Sequence, residues 1–196
     1  MAERTYTLEQ TRYERKTMTL PTAYWGPASY FDLLLDTQTE GQKDDGIQIE
    51  VMESFEKQTF RNRCLIHDMQ GREIRLTVPL QKVEHKQLTR DIEICYRSHW
   101  QHQHWLALRS AYEHTPYFLY FADLIRPWYE RQTRFLIDLN DGLTQLAAAI
   151  IQRRIEADGQ IHNKLVLRRT EQWQQSNQNN WQNEPSILDR LMREGA

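Results

Sequence analysis

The spacing of apolar residues changes near Ser98, and this change limits what the 196-residue chain can fold into. Upstream of it, segments such as residues 47–53 alternate apolar and polar side chains, which is typical of half-buried strands. Downstream, apolar residues recur three and four positions apart, most regularly over residues 143–151, which predicts amphipathic helices. A further helix is predicted early, from Pro27 to about Asp36. Strands with one early helix, followed by a helical C-terminal half, indicate an α+β domain with a small mixed or antiparallel sheet.

The length of the chain favours one domain, with a different segment at each end. Residues 1–16 are polar and predict a flexible lead-in, whereas residues 17–170 form the predicted domain. Residues 171–196 are a tail, because nine of the fourteen residues from 171 to 184 are Gln or Asn. Ser186 can cap a short terminal helix, whose apolar face must pack on this chain or on another copy. The sequence therefore leaves two possibilities open: a terminal helix that packs within its own chain, and a homo-oligomer in which it packs on a second copy.

The composition narrows the class of protein. A formal net charge of −2 gives no indication of nucleic acid as a partner. No apolar run approaches the roughly 20 residues of a membrane span, so no membrane insertion is expected. The first residues carry no apolar core of a signal peptide. Cys64 and Cys95 are too few for a disulfide framework, which indicates reduced thiols in a cytoplasmic protein.

A basic β-hairpin is the most informative local pattern. Residues 57–67 and 73–78 predict its two arms, with a turn at residues 68–71 that places Arg63 opposite Thr77 and Cys64 opposite Leu76. In an extended first arm, alternate side chains share a face, and this face carries three cations, Lys57, Arg61 and Arg63. Such a face suits a small anionic substrate, because arginine matches carboxylate and phosphate geometry. The alternative is a solvated face whose charge is answered by nearby acids, among them Glu50, Glu53 and Glu56.

A second candidate anion site is the start of the Pro27 helix. The first turn of a helix presents unpaired N–H groups and partial positive charge. Gly26 has no side chain and would let a ligand approach that backbone. The alternative is that Gly26-Pro27 forms only a turn before the helix.

Three closely spaced histidines, His99, His102 and His104, raise the question of a metal site. They lie in a predicted helix that starts with a capping box of Ser98 and Gln101. On a helix the three imidazoles do not converge on one point, so neither a metal nor another cofactor is predicted. His104 falls on an apolar stripe, where a packed, hydrogen-bonded histidine and an acid–base histidine are both open.

Several motifs, taken in order, resemble those of the WbqC-like family. The resemblance covers about residues 20–146. This chain lacks the family's opening His-Gln-Pro and carries Phe60 and Cys64 where many members have tryptophan and asparagine, which indicates a divergent branch. The motifs are Leu20-Pro21, Tyr24-Trp25-Gly26-Pro27, Tyr30-Phe31, Arg61-Asn62-Arg63, Leu76-Thr77-Val78-Pro79, Asp91-Ile92-Glu93-Ile94, His104-Trp105, Ala111-Tyr112, Pro116-Tyr117-Phe118 and Leu139-Asn140.

The resemblance implies a transferase that acts on an activated substrate, phosphorylated or acylated, in cell-surface polysaccharide metabolism. The family is named from O-antigen gene clusters. The alternative is a non-catalytic anion- or protein-binding module that uses the basic strand face. Expected acid, base or orienting groups are His104, Tyr30 and Asp91. Expected substrate-binding residues are Lys57, Arg61, Asn62, Arg63, Tyr24 and Gly26, with Asn62 in a positioning role.

Overall fold

A three-stranded parallel sheet joins two N-terminal strands with one strand from near the C-terminus. The computed structural model describes residues 19–39, 47–152, 167–170 and 181–195, so the lead-in of residues 1–16 and most of the Gln/Asn-rich segment lie outside the described residues. The sheet consists of β1 (Thr19–Pro21), β2 (Ile47–Glu50) and β5 (Leu167–Thr170), with β2 in the centre. Helix α1 (Ala28–Thr39) connects β1 to β2, as parallel pairing requires a crossover.

The predicted hairpin is confirmed in its register. Strands β3 (Arg63–His67) and β4 (Glu73–Thr77) pair antiparallel, with Arg63 opposite Thr77 and Cys64 opposite Leu76. Cys64 and Leu76 are both buried, as the apolar face of the hairpin predicts. With its parallel sheet, this hairpin and the helices that follow, the fold is the expected α+β arrangement.

Three local expectations were wrong. Residues 57–62 form turns, so the first arm of the hairpin begins only at Arg63. Residues 91–95 are not a strand: a 3-10 turn at Thr89–Asp91 is followed by the isolated bridges Glu93↔Phe135 and Leu80↔Ile94. Helix α2 (Trp100–Tyr112) starts without a side-chain cap, because Gln101 instead donates from Nε2 to the Arg131 carbonyl.

The helical half follows the predicted apolar spacing. It contains α2, α3 (Phe118–Ile125), α4 (Pro127–Glu130) and α5 (Leu136–Ile151). One face of α5 lies in the core and is almost wholly apolar. Within α5, position 142 has no room for a side chain, since a Cβ on Gly142 would lie 1.8 Å from the ring of Trp128 in α4. The glycine therefore lets α4 pack against α5. No helix among the described residues is long and apolar enough to cross a membrane.

The terminal helix α6 (Ile187–Glu194) packs on this chain. Its apolar side chains Ile187, Leu188, Leu191 and Met192 are buried in the common core. The side chain of Ser186 caps the helix by accepting from the Leu188 N–H, as predicted. It also donates to the Trp25 carbonyl at 2.8 Å, which ties the start of α6 to the segment after β1.

Candidate functional site

The segment that was expected to carry the basic face is a turn held by its own side chains. Asn62 Oδ1 accepts from the Gln58 N–H at 3.1 Å, and Thr59 Oγ1 donates to the Glu56 carbonyl at 2.9 Å. Such side-chain hydrogen bonds compete with strand formation. The chain therefore does not alternate here, and the prediction that Lys57, Arg61 and Arg63 share a strand face was wrong.

The guanidinium of Arg61 is buried and has an internal partner. Its Nε and Nη2 donate to the two carboxylate oxygens of Glu53 at 2.6 and 2.7 Å. Glu56 lies farther away, at 3.6 Å from Nη1. Arg61 is only 4% exposed. Its charge is thus answered within the protein, by two of the acids named in the alternative interpretation.

The other two basic residues have different surroundings. Arg63 is half-buried, and its Nε donates to Thr77 Oγ1 at 3.0 Å across the hairpin. Lys57 is exposed, and its Nζ donates to the Val83 carbonyl at 3.4 Å. Of the three cations, only Lys57 is therefore readily accessible to an external ligand.

The α1 start is occupied by the protein itself. A Cβ on Gly26 would lie 3.0 Å from Cδ1 of Tyr30 and 3.1 Å from Cβ of Ala23, so the missing side chain makes room for core packing. The Gly26 carbonyl accepts from the Ile187 N–H at 2.9 Å. In the first turn of the helix, the Ser29 hydroxyl donates to the Glu184 carboxylate. The first turn of α1 therefore already has an acidic partner from this chain, through the side chain of Ser29.

Tyr24 and His104 meet in the core through a chain of hydrogen bonds. Tyr24 Oη lies 2.9 Å from His104 Nδ1 and 3.1 Å from Tyr129 Oη, and Trp25 Nε1 donates to Tyr129 Oη at 2.9 Å. A donor order from Trp25 through Tyr129 and Tyr24 to His104 gives each hydroxyl one bond as donor and one as acceptor. All four side chains are buried. The network therefore satisfies polar atoms that the core would otherwise leave unpaired.

Burial sets the protonation states of Tyr24 and His104 in this network, and that of the nearby core residue Tyr30. It raises the pKa of Tyr24 and of Tyr30, so that both hydroxyls stay protonated at neutral pH. The Tyr30 hydroxyl donates to the Pro21 carbonyl at 3.0 Å. Burial lowers the pKa of His104 to about 4, although a hydrogen bond with the Thr77 backbone acts in the opposite direction. The imidazole of His104 is therefore neutral at pH 7.

The low pKa of His104 predicts a loss of stability in mild acid. In the unfolded chain the imidazole takes up a proton near pH 6.5, whereas in the folded protein it does so only near pH 4. Between these values the unfolded state binds more protons, so the free energy of unfolding falls as the pH falls. We expect a loss of about 3 kcal/mol between pH 7 and pH 4 in urea unfolding of the wild type. His104→Gln should remove this contribution, and a constant difference between the two proteins over that range would contradict it.

Asn62 ties together the two ends of the hairpin, and Asn140 on α5 joins them to the segment that follows β1. Asn62 Nδ2 donates to the Val78 carbonyl at 3.2 Å, and the Val78 N–H donates to the Asn62 carbonyl at 2.8 Å. Asn140 Nδ2 donates to Thr22 Oγ1 at 3.0 Å and to the Arg61 carbonyl at 2.8 Å. Both asparagines are buried. The Leu139-Asn140 motif was noted in the sequence, but the role of Asn140 was not predicted, because its partners lie about 80 or more residues away.

An open cavity lies beside Asp91, between the loop after β4 and the segment that follows the 3-10 turn. Its volume is about 590 Å³. Gln87 shapes the loop: its Nε2 donates to the Asp91 carbonyl at 2.8 Å, and its Oε1 accepts from the Glu84 N–H at 3.0 Å. Lys57 contacts the same loop through the Val83 carbonyl. The lining residues are Gln81, Lys82, Val83, Glu84, His85, Gln87, Asp91 and Glu93.

The structure thus divides the nine expected site residues into two groups. Asp91 lines the cavity, and Lys57 contacts the loop that forms one wall of it. The other seven belong to the core or to the framework of the hairpin: Tyr24, Gly26, Tyr30, Arg61, Asn62, Arg63 and His104. Lys82 and His85, which the sequence analysis did not select as ligand-binding residues, join Asp91 in the lining. Among the described residues, no three His, Cys, Asp or Glu side chains are grouped so as to hold a metal ion.

Comparison with known proteins gives one match. The model of the WbqC-like protein family matches residues 30–163, which is more than half of the chain. No curated protein and no solved structure matches the chain. The matched range includes the hairpin, the cavity and helices α2 to α5, whereas β1 and α6 lie outside it.

Proposed function

The chain belongs to the WbqC-like protein family, and from this premise we propose that it is a transferase that binds an activated sugar in the cavity beside Asp91. The substrate is activated by a phosphate or an acyl group. The proposed setting is cell-surface polysaccharide metabolism in the cytoplasm. The observation that carries the proposal is the cavity itself, with polar or charged residues at seven of the eight positions that line it.

The size and the lining of the cavity suit a sugar. Its volume of about 590 Å³ falls within the range of small-molecule sites. Seven of the eight lining residues are polar or charged, with Val83 as the exception. Carboxylates and side-chain amides exchange hydrogen bonds with hydroxyl groups, and the apolar stems of the same side chains can pack against the carbon atoms of a sugar ring. A ligand rich in hydroxyl groups therefore fits this lining.

The lysine in the cavity lining suits the anionic part of such a substrate. Lys82 and His85 lie in the lining, and Lys57 lies behind the loop, on the Val83 carbonyl. One of the acids, Glu93, already pairs with Arg134 at 2.9 Å. Lys82 is thus the proposed direct partner of a phosphate or carboxylate group, and Lys57 supports the loop from behind.

Asp91 is the proposed proton acceptor for the attacking hydroxyl: its O–H bond breaks as the oxygen bonds to the activated group, and the phosphate-bearing leaving group departs with its electron pair. The side chain of Asp91 is more than half exposed and lies 3.6 Å from the Arg90 guanidinium, and Asp91 is one of the residues that line the cavity. A positioned general base contributes about 10²–10⁴-fold to rate. Gln87 holds the backbone of Asp91 and shapes the loop, which makes it a positioning residue.

Binding can be tested by thermal shift with a panel of nucleoside diphosphate sugars, acyl phosphates and the corresponding uncharged sugars. A ligand at a hundred times its Kd adds about 2.7 kcal/mol to the unfolding free energy, and we expect this only for the charged members. Lys82→Ala should weaken binding by about tenfold or more, since a charge-assisted hydrogen bond is worth ~1.5–3 kcal/mol. Asp91→Asn should leave binding largely intact and lower the rate of transfer by about 10²–10⁴-fold.

Arg75→Ala is the matched control for Lys82→Ala. Arg75 is an exposed cation on β4 that contacts Glu73 and does not line the cavity. Its replacement should leave the ligand-induced shift unchanged. If no member of the panel shifts the melting temperature of the wild type, the cavity is not a substrate site. The protein would then be better described as a non-catalytic binding module.

A further inference from the structure

A histidine–carboxylate pair lies where the β3–β4 hairpin meets the terminal helix. His67 is the last residue of β3, and Asp189 lies in the first turn of α6. Nδ1 of His67 is 2.8 Å from Oδ2 of Asp189. Neither residue lines the cavity beside Asp91, so the pair is independent of the proposed function.

Asp189 is held by several donors. Its Oδ1 accepts from the His67 N–H at 3.3 Å and from the Tyr112 hydroxyl at 2.8 Å. The Nε of Arg193 lies 3.6 Å from the same oxygen. These contacts fix the carboxylate opposite the imidazole, as a carboxylate must be fixed if it is to orient a histidine.

The contact with Asp189 determines which nitrogen of His67 is free. In a neutral imidazole that donates to this carboxylate from Nδ1, the lone pair lies on Nε2. Nε2 has no hydrogen-bond partner in the described part of the chain, and the side chain is 26% exposed. The buried His104 differs, because both of its polar contacts are with the protein.

We propose that His67, Asp189 and Tyr112 form an acid–base site for a hydroxyl-bearing ligand. Nε2 of His67 accepts the hydroxyl proton: the O–H bond breaks, an Nε2–H bond forms, and the electron pair stays on the oxygen. The resulting imidazolium is stabilised by Asp189, and the proton later returns to solvent. Tyr112 positions Asp189 through its hydroxyl.

The tautomer of His67 is the first test. Long-range ¹H–¹⁵N NMR correlations of the wild type at pH 7.5 should show a protonated Nδ1 and a bare Nε2. A His67 in which Nε2 carries the proton would overturn the proposal. This measurement requires no variant, so a failure of any variant to fold does not affect it.

Hydrolysis of p-nitrophenyl acetate is the second test, with water as the hydroxyl-bearing ligand. His67 Nε2 takes a proton from water, the water oxygen bonds to the ester carbonyl carbon, and p-nitrophenolate leaves with its electron pair. His67→Gln should lower the rate severalfold, and Asp189→Asn should lower it to a similar level. Tyr112→Phe, a milder change, should lower it in the same direction.

His114→Gln is the matched control, because His114 is 72% exposed and contacts only Glu113 among the described residues. Its loss should change the rate far less than the loss of His67. Equal effects of His67→Gln and His114→Gln would mean that Asp189 merely ties α6 to the hairpin, and the acid–base site would be rejected.

Discussion

A chain that ends at residue 180 is expected not to fold, because the segment that follows completes the core. Trp181 lies between the rings of Tyr30 and Phe60, with centroids at 5.2 and 5.3 Å. Helix α6 adds four buried apolar side chains. Removing one such side chain costs about 2–5 kcal/mol, and the whole stability of a domain is only about 5–15 kcal/mol. Far-UV circular dichroism and urea titration should show no cooperative transition for the truncated chain.

Two point variants in α6 separate this packing effect from the loss of surface contacts. Leu191→Ala removes a fully buried side chain and should lower the unfolding free energy by about 2–5 kcal/mol. Arg190→Ala, at the neighbouring position, removes an exposed ion pair with Asp32 and should cost about 1 kcal/mol or less. A truncated chain that unfolds cooperatively at the wild-type urea concentration would show that α6 is dispensable.

The terminal segment also shows what sequence reasoning can and cannot reach. Ser186 and the spacing of Ile187, Leu188, Leu191 and Met192 predict the helix and its apolar face, because both are local properties. The surface against which this face packs is not local. It is formed by α1, α3 and β3, which lie more than 60 residues away in the sequence. Sequence could therefore predict that the face is buried, but could not choose between this chain and a second copy.

The β3–β4 register was predictable for a related reason. Alternation places Cys64 and Leu76 on the apolar face, and the turn at residues 68–71 leaves one register that pairs them. The turn is stabilised locally: Asp68 Oδ1 accepts from the N–H groups of Gln70 and Arg72 at 2.8 and 2.9 Å. The alternation and the turn both lie within a segment of about 15 residues, so the register of the hairpin can be predicted from the sequence alone.

The basic face was not predictable in the same way. Continuing the alternation from Arg63 back to Lys57 assumes that the backbone stays extended, but Asn62 and Thr59 bind the backbone of their own segment instead. Asn62 was selected for its resemblance to a family motif, and its contacts explain its position without any ligand. The parallel strand β5 was also missed, since Leu167–Thr170 is short and polar and pairs with β2 over more than 100 residues.

Replacing Glu53 by alanine is expected to destabilise the fold strongly, because it leaves the Arg61 guanidinium buried without its main partner. Breaking a buried ion pair by removing one member costs about 3–5 kcal/mol. Glu56→Ala is the matched control, since it removes the same kind of carboxylate from the same arginine. The Glu56 side chain is 67% exposed and that of Glu53 only 12%. The control should therefore cost about 1 kcal/mol or less in urea unfolding at pH 7.

A third variant tests whether the charge or the shape of Arg61 matters to the fold. Glu53→Leu with Arg61→Met removes both charges and keeps similar apolar volume, and replacements of this kind are often neutral or stabilising. We expect the double variant to recover most of the stability that Glu53→Ala loses. Arg61 is then a structural residue, whose fixed contact with Glu53 leaves it unavailable to an anion. Equal losses for Glu53→Ala and Glu56→Ala would instead indicate a guanidinium that water reaches, and the anion site at Arg61 would again become the better interpretation.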